Sequence, residues 1–118
     1  MLPTALSGRA QLYRNLGMYA QAEADYRQLL AMDETNLNAL INLAFLYMKQ
    51  EKYDEALTLT GKCEKFDAEY ANTYRLRMQI HDKMGNADKA IDDAVRYFEY
   101  DDEAEFSRCK PIFRQGAG

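Results

Sequence analysis

A 34-residue period runs through the chain and constrains its fold more than any other feature. Ala10, Ala44 and Met78 share one slot, Tyr13, Tyr47 and His81 another, and Ala22, Ala56 and Ala90 a third. Asp33, Asp67 and Asp101 recur at the same spacing without substitution. A fixed period of this length marks stacked supersecondary units, each unable to bury its apolar surface alone. Residues 40–56, LINLAFLYMKQEKYDEA, show what the unit is. Leu40, Leu43, Ala44 and Tyr47 lie on one helical face, Gln50-Glu51-Lys52 breaks the rhythm, and Tyr53 and Ala56 restart it. That pattern is a helix, a tight turn and a second helix.

In chain order, Pro3 suits the first turn of an opening helix, where its missing N–H would be unpaired anyway. Leu6, Ala10, Tyr13 and Leu16 step along one face to a turn at Gly17. A second helix is expected over 19–32, with Ala22, Tyr26, Leu29 and Leu30 inward, and Thr35 or Asn36 is expected to cap the third. The third and fourth helices span about 37–50 and 53–66. Gly61 interrupts the fourth, allowing close packing or a bend, or simply being tolerated. Asp67 is expected to cap a fifth helix that runs to about Met84 with Tyr74, Met78 and His81 inward, and Gly85-Asn86 forms a turn. The sixth covers about 87–100. A shorter seventh over 102–113 starts at Asp101-Asp102-Glu103, where the helix dipole favours negative charge, and ends before Pro111. Residues 114–118 are expected to be a flexible tail.

These slots resemble the tetratricopeptide repeat, outlined as W-x₂-L-G-x₂-Y…A-x₃-F…P. The second unit reads Leu40, Leu43, Ala44, Tyr47, Ala56, Thr60 and Ala68. The first reads Leu6, Arg9, Ala10, Tyr13, Ala22, Tyr26 and Glu34, and the third Tyr74, Arg77, Met78, His81, Ala90, Ala94 and Asp102. The terminal proline is absent from all three, and Met78 replaces a small residue. The resemblance implies an all-α protein, an alpha-alpha superhelix of about three helical hairpins (units near 3–36, 37–70 and 71–104) with a C-terminal cap over 102–113. The whole array covers 1–113.

The resemblance also implies that the first helix of each hairpin lines a concave groove. Helical spacing then selects Ser7, Gln11, Arg14 and Asn15 in the first unit. Asn38, Ile41, Asn42, Phe45, Met48 and Lys49 follow in the second, and Asn72, Arg75, Leu76, Gln79 and Lys83 in the third. Amides both donate and accept, so Asn and Gln suit the backbone of an extended peptide, with Phe45 and Met48 as apolar anchors. The expected function is a protein-interaction scaffold that binds a peptide or partner protein in this groove. The alternative is a piece of a longer array whose repeats pack within the protein or self-associate through exposed ends. Leu2, Leu6 and Leu12 on the opening helix favour that alternative. One subgroup of the family holds chaperone C-terminal carboxylates in a clamp of two Lys, one Arg and two Asn. Carried over, its slots are Ser7, Gln11, Asn42, Asn72 and Leu76; Asn42 alone agrees, which disfavours that role.

Other chemistry is not signalled. Net charge is −4 with 29% charged residues, and an acidic chain without a basic stripe is not expected to bind nucleic acid or anionic membranes. No apolar run is long enough to span a bilayer, and no leader is visible at the start. Cys63 and Cys109 make neither a zinc spacing nor a disulfide framework, which favours a cytoplasmic setting. His81 occupies a tyrosine slot and is expected to be packed rather than catalytic. Asp101-Asp102-Glu103 lacks the alternating ligands and central glycine of a calcium loop. No enzyme activity and no cofactor are expected.

Overall fold

A computed structural model describes residues 2–101. Among them are six α-helices and no strand: α1 (Pro3–Asn15), α2 (Tyr19–Met32), α3 (Leu37–Lys49), α4 (Tyr53–Phe66), α5 (Ala71–Lys83) and α6 (Ala87–Tyr100). The chain divides into two compact units, one ending at Ala68 and the other beginning at Glu69. The expected seventh helix, the tail, Cys109 and Pro111 lie outside the described residues.

In the first unit α1 pairs with α2, α3 with α4, and α2 with α3. Leu6, Ala10, Ala22, Tyr26 and Leu29 fill the first hairpin. Leu16 is not inward as its spacing suggested: it is the C-cap residue of α1 and is 64% exposed. Tyr13 and Leu30 are half-buried. Helix α3 is the most enclosed, with Ala39, Leu40, Leu43, Ala44, Leu46, Tyr47 and Met48 all buried, because it has a helix on either side. Ala56, Leu59, Thr60 and Cys63 complete the core from α4. Gly61 is exposed, and a Cβ there would meet nothing within 4 Å. Close packing is therefore not its reason.

All three hairpins turn in the same way. Gly17, Glu51 and Gly85 take left-handed φ values of 78°, 62° and 80°. In each turn the following N–H reaches back into the last helical turn: Met18 to the Tyr13 carbonyl (2.8 Å), Lys52 to Tyr47 (2.8 Å) and Asn86 to His81 (2.9 Å). These bonds satisfy carbonyls that the helix end leaves open, and glycine adopts the required conformation without a Cβ clash. Glu51 carries that clash. Glu51→Gly is therefore expected to stabilise the protein by about 0.5–1 kcal/mol, the left-handed penalty less the entropy of an unfolded glycine. A urea midpoint that stays put or falls would show that Glu51 is not strained.

Asp67 does not cap α5. It is the C-cap of α4 in extended conformation, as Asp33 is of α2 and Asp101 of α6, and α5 begins four residues later at Ala71 with Tyr70 before it. The recurring aspartate thus marks where the second helix of each hairpin stops. Asp33 shows one use: its Oδ1 accepts from the Thr35 N–H (3.0 Å) and hydroxyl (2.7 Å). Those two bonds lower its carboxyl pKa. Thr35 is thereby engaged, and Asn36 caps α3 by accepting from the Ala39 N–H at 3.1 Å.

A charged pair links the two helices of the first hairpin and, separately, of the third. Arg9 donates through Nε and Nη2 to the two carboxylate oxygens of Asp25, at 2.9 and 2.7 Å. Arg77 donates to Asp93 from Nε (3.1 Å) and Nη2 (3.0 Å). In the second hairpin the same two slots hold Leu43 and Leu59, both buried.

In the second unit α5 packs on α6, and Tyr74 and Tyr100 stack at 5.6 Å. His81 is 8% exposed, with Nε2 3.8 Å from Asp93 Oδ2 and Nδ1 buried without a hydrogen bond. Burial outweighs the attraction of Asp93, and Lys89 and Arg77 add to it, so the His81 pKa lies below the ordinary imidazole value. The unfolded chain then takes up a proton first as pH falls through about 6.5. Stability from this group is complete above that value and is lost on acidification. Relative to wild type, His81→Tyr, which restores the residue found in that slot elsewhere, should flatten the fall in melting temperature below neutrality. Equal slopes for the two proteins would remove His81 as the source.

Candidate functional site

The first unit gathers most of the groove residues chosen by spacing on a face shared by α1 and α3. Arg14, near the end of α1, donates through Nη1 to Asn42 Oδ1 on α3 and lies 5.3 Å from the Phe45 ring centre. Lys49 approaches the same ring at 5.6 Å, one turn further along α3. Asn42 Nδ2 donates to the Asn38 carbonyl (2.9 Å) and to Asn38 Oδ1 (3.0 Å). Arg14 Nη2 also reaches Asn15 Oδ1 at 3.5 Å. The result is a half-buried aromatic ring flanked by two cations, continuous with a row of amides. Each cation over a ring contributes about 0.5–1 kcal/mol at an exposed site.

Towards the start of α1 the same face opens into a depression of about 480 Å³, lined by Ser7, Gln11, Asn36 and Asn38 together with Pro3, Thr4, Gly8 and Leu29. Gln11 and Asn38 therefore belong to this surface, and Asn38 joins the depression to the Arg14–Asn42–Phe45 cluster. Ile41 is half-buried. Met48 is not available as an anchor: it is 3% exposed, because α3 is covered on more than one side.

Asn42 has an unexpected part in this arrangement. Its amide is already bonded on both sides within the protein, so it positions the guanidinium of Arg14 over Phe45. Helical spacing places Asn42 on the right face but gives no sign of that cross-helix bond.

On α5, in the second unit, Asn72, Arg75 and Lys83 are exposed and Leu76 is 5% exposed, hence core rather than surface. The Asn72 amide reaches the Tyr70 hydroxyl at 3.5 Å. Gln79 is half-buried and lines a depression of about 290 Å³ with Met78, Asp82, Ala90, Ile91 and Ala94. Among the described residues no three His, Cys, Asp or Glu side chains could share a metal ion, and no helix is long and apolar enough to cross a membrane. Cys63 is buried.

Residues 13–70 match the family model of the tetratricopeptide repeat. The chain belongs to the tetratricopeptide repeat family. Its all-α helical hairpins also match solved structures. The second TPR of Spaghetti (RPAP3), bound to the HSP90 peptide SRMEEVD, superposes with a TM-score of 0.76 at 22% identity over 84% of this chain and 92% of that one. The first TPR of Spaghetti, bound to the same peptide, gives 0.78 at 20% identity over 89% and 86%. MamA gives 0.74 at 19% identity over 84% of this chain and 58% of its own. No curated protein matches the chain. In tetratricopeptide terms, α1, α3 and α5 are the first helices of their repeats and carry the residues described above.

Proposed function

We propose that this protein is an interaction scaffold, and that the α1–α3 face of its first unit binds an extended segment of a partner protein. The observation that carries this reading is Phe45, a half-buried ring held between Arg14 and Lys49 beside bonded amides. Aromatic and arginine side chains in such settings contribute most to interface energies, and fixing them before binding lowers the entropic cost of association. Two cations at one end of the face favour a carboxylate-bearing segment there. The two Spaghetti domains, which share the fold, hold an acidic peptide. The chaperone clamp itself fits this chain poorly. Four of its slots are Ser7, Gln11, Asn72 and Leu76, none is cationic, and Leu76 is core. The positive charge on this face comes instead from Arg14 and Lys49.

The test is a pull-down that compares wild type with Asn42→Ala/Phe45→Ala as baits, followed by titration of whatever the wild type retains. Phe45→Ala is expected to weaken binding by about 2 kcal/mol or more, roughly thirtyfold. Asn42→Ala should cost about 1–3 kcal/mol by releasing Arg14 from its place over Phe45. Identical partner lists from the two baits would exclude this face as the binding site.

A further inference from the structure

The two ends of the chain carry the two halves of a contact that already exists inside it. Within the first unit, α3 sits on the α1–α2 hairpin. Arg14 bonds Asn42 of α3, while Glu23 and Arg27 both bond the hydroxyl of Tyr47, the former at 3.4 Å. Shifted by two periods, the slots of Arg14, Glu23 and Arg27 are Asp82, Ile91 and Val95. Asp82 and Ile91 line the depression on the α5–α6 hairpin, and Ile91 and Val95 are 61% and 53% exposed. The seat that α3 occupies on the first hairpin is thus repeated on the third, where it is more apolar and holds no described helix.

The opposite end is complementary. In α3, Ala39 and Leu46 are completely buried. Their counterparts in α1 are Ala5, which is exposed, and Leu12, which is 57% exposed; Leu16, one turn further along, is 64% exposed. Helix α1 has its hairpin mate α2, as α3 has α4, so these exposed side chains lie on the face that α3 turns to the preceding hairpin.

The geometry points to a head-to-tail association in which α1 of one copy docks into the α5–α6 depression of a second copy, as α3 docks on α1–α2 within the chain. Residues 102–118 are a poorer occupant on sequence grounds. In the same frame they place Ser107 and Arg114 where α3 has the completely buried Ala39 and Leu46. A buried unpaired charge is costly. Helix α1 supplies Ala5 and Leu12 at the same two slots, both exposed. The contact joins two different surfaces, so pairing leaves one free half at each end and growth continues.

Sedimentation velocity over a concentration series tests this, using the full chain. Wild type should gain mass with concentration past the dimer. Leu12→Glu and Ile91→Glu, at exposed sites and checked for helix content by circular dichroism, should each remain monomeric, with association weakened at least about tenfold. Mixed in equal amounts, the two variants should form a 1:1 dimer that grows no further, because one intact half survives on each. A monomeric wild type would overturn the proposal, whether residues 102–118 or an unlike partner covers the seat. So would variants that associate as the wild type does, or a mixture that stays monomeric.

Discussion

Arg77→Leu is expected to destabilise the protein by about 3–5 kcal/mol, while Arg77→Leu with Asp93→Leu should cost little or even stabilise it. The single change strands a carboxylate whose side chain is 6% exposed and which takes three hydrogen bonds from the Arg77 guanidinium. An uncompensated buried charge loses water without gaining a partner. Its close neighbour His81, 3.8 Å away, offers only partial relief because burial disfavours the charged imidazole. Removing both charges returns the hairpin to the chemistry of Leu43 and Leu59, which the second repeat already uses in the same slots. Urea unfolding of the wild type, both single variants and the double variant completes a double-mutant cycle. A double variant as unstable as Arg77→Leu would mean that the pair stabilises by more than charge compensation. The corresponding change at Arg9 should cost less, because that side chain is 44% exposed and its loss admits water to Asp25.

Ala44→Leu should destabilise by about 1–3 kcal/mol through overpacking. Ala44 and Ala56 are both completely buried, in the two helices of the second hairpin. Three added carbons have no space unless the helices separate or a neighbour leaves its rotamer. The third repeat shows what accommodation requires. Met78 stands in the Ala44 slot, but Ala94 stands where the other repeats have Tyr26 and Thr60, and the site is an open depression. An unchanged melting temperature would show that the slot is looser in the second hairpin than its burial indicates.

The helices were legible because their signals are local and repeated: apolar residues at helical spacing, Pro3 at a first turn, and Gly17 and Gly85 at left-handed turns. Recurrence made Glu51 readable as a turn despite its side chain. Recurrence also misled at Asp67. Aspartate is a common N-cap, and only the backbone shows that this one closes the preceding helix. Met48 and Leu76 were placed on the groove because a helical wheel assumes one buried face. Helix α3 is enclosed on two, and Leu76 of α5 is buried as well. The Arg9–Asp25 and Arg77–Asp93 pairs leave a signal in the sequence. Arginine and aspartate repeat together two periods apart, with Leu43 and Leu59 between them, so the slots vary jointly in charge. The Arg14–Asn42 bond had none, because it depends on how two first helices sit side by side and not on spacing within either.

That bond joins helices of unequal rigidity. Helix α3 is packed on both sides, whereas α1 closes on its neighbours with Leu6 and Ala10 and leaves Leu12 and Leu16 in solvent. Local opening should therefore release α1 at a lower free energy than α3. A molecule that touches Arg14 and Phe45 together ties the looser helix to the firmer one. Its binding free energy then appears as slower amide exchange along α1, with little change in the already protected amides of α3.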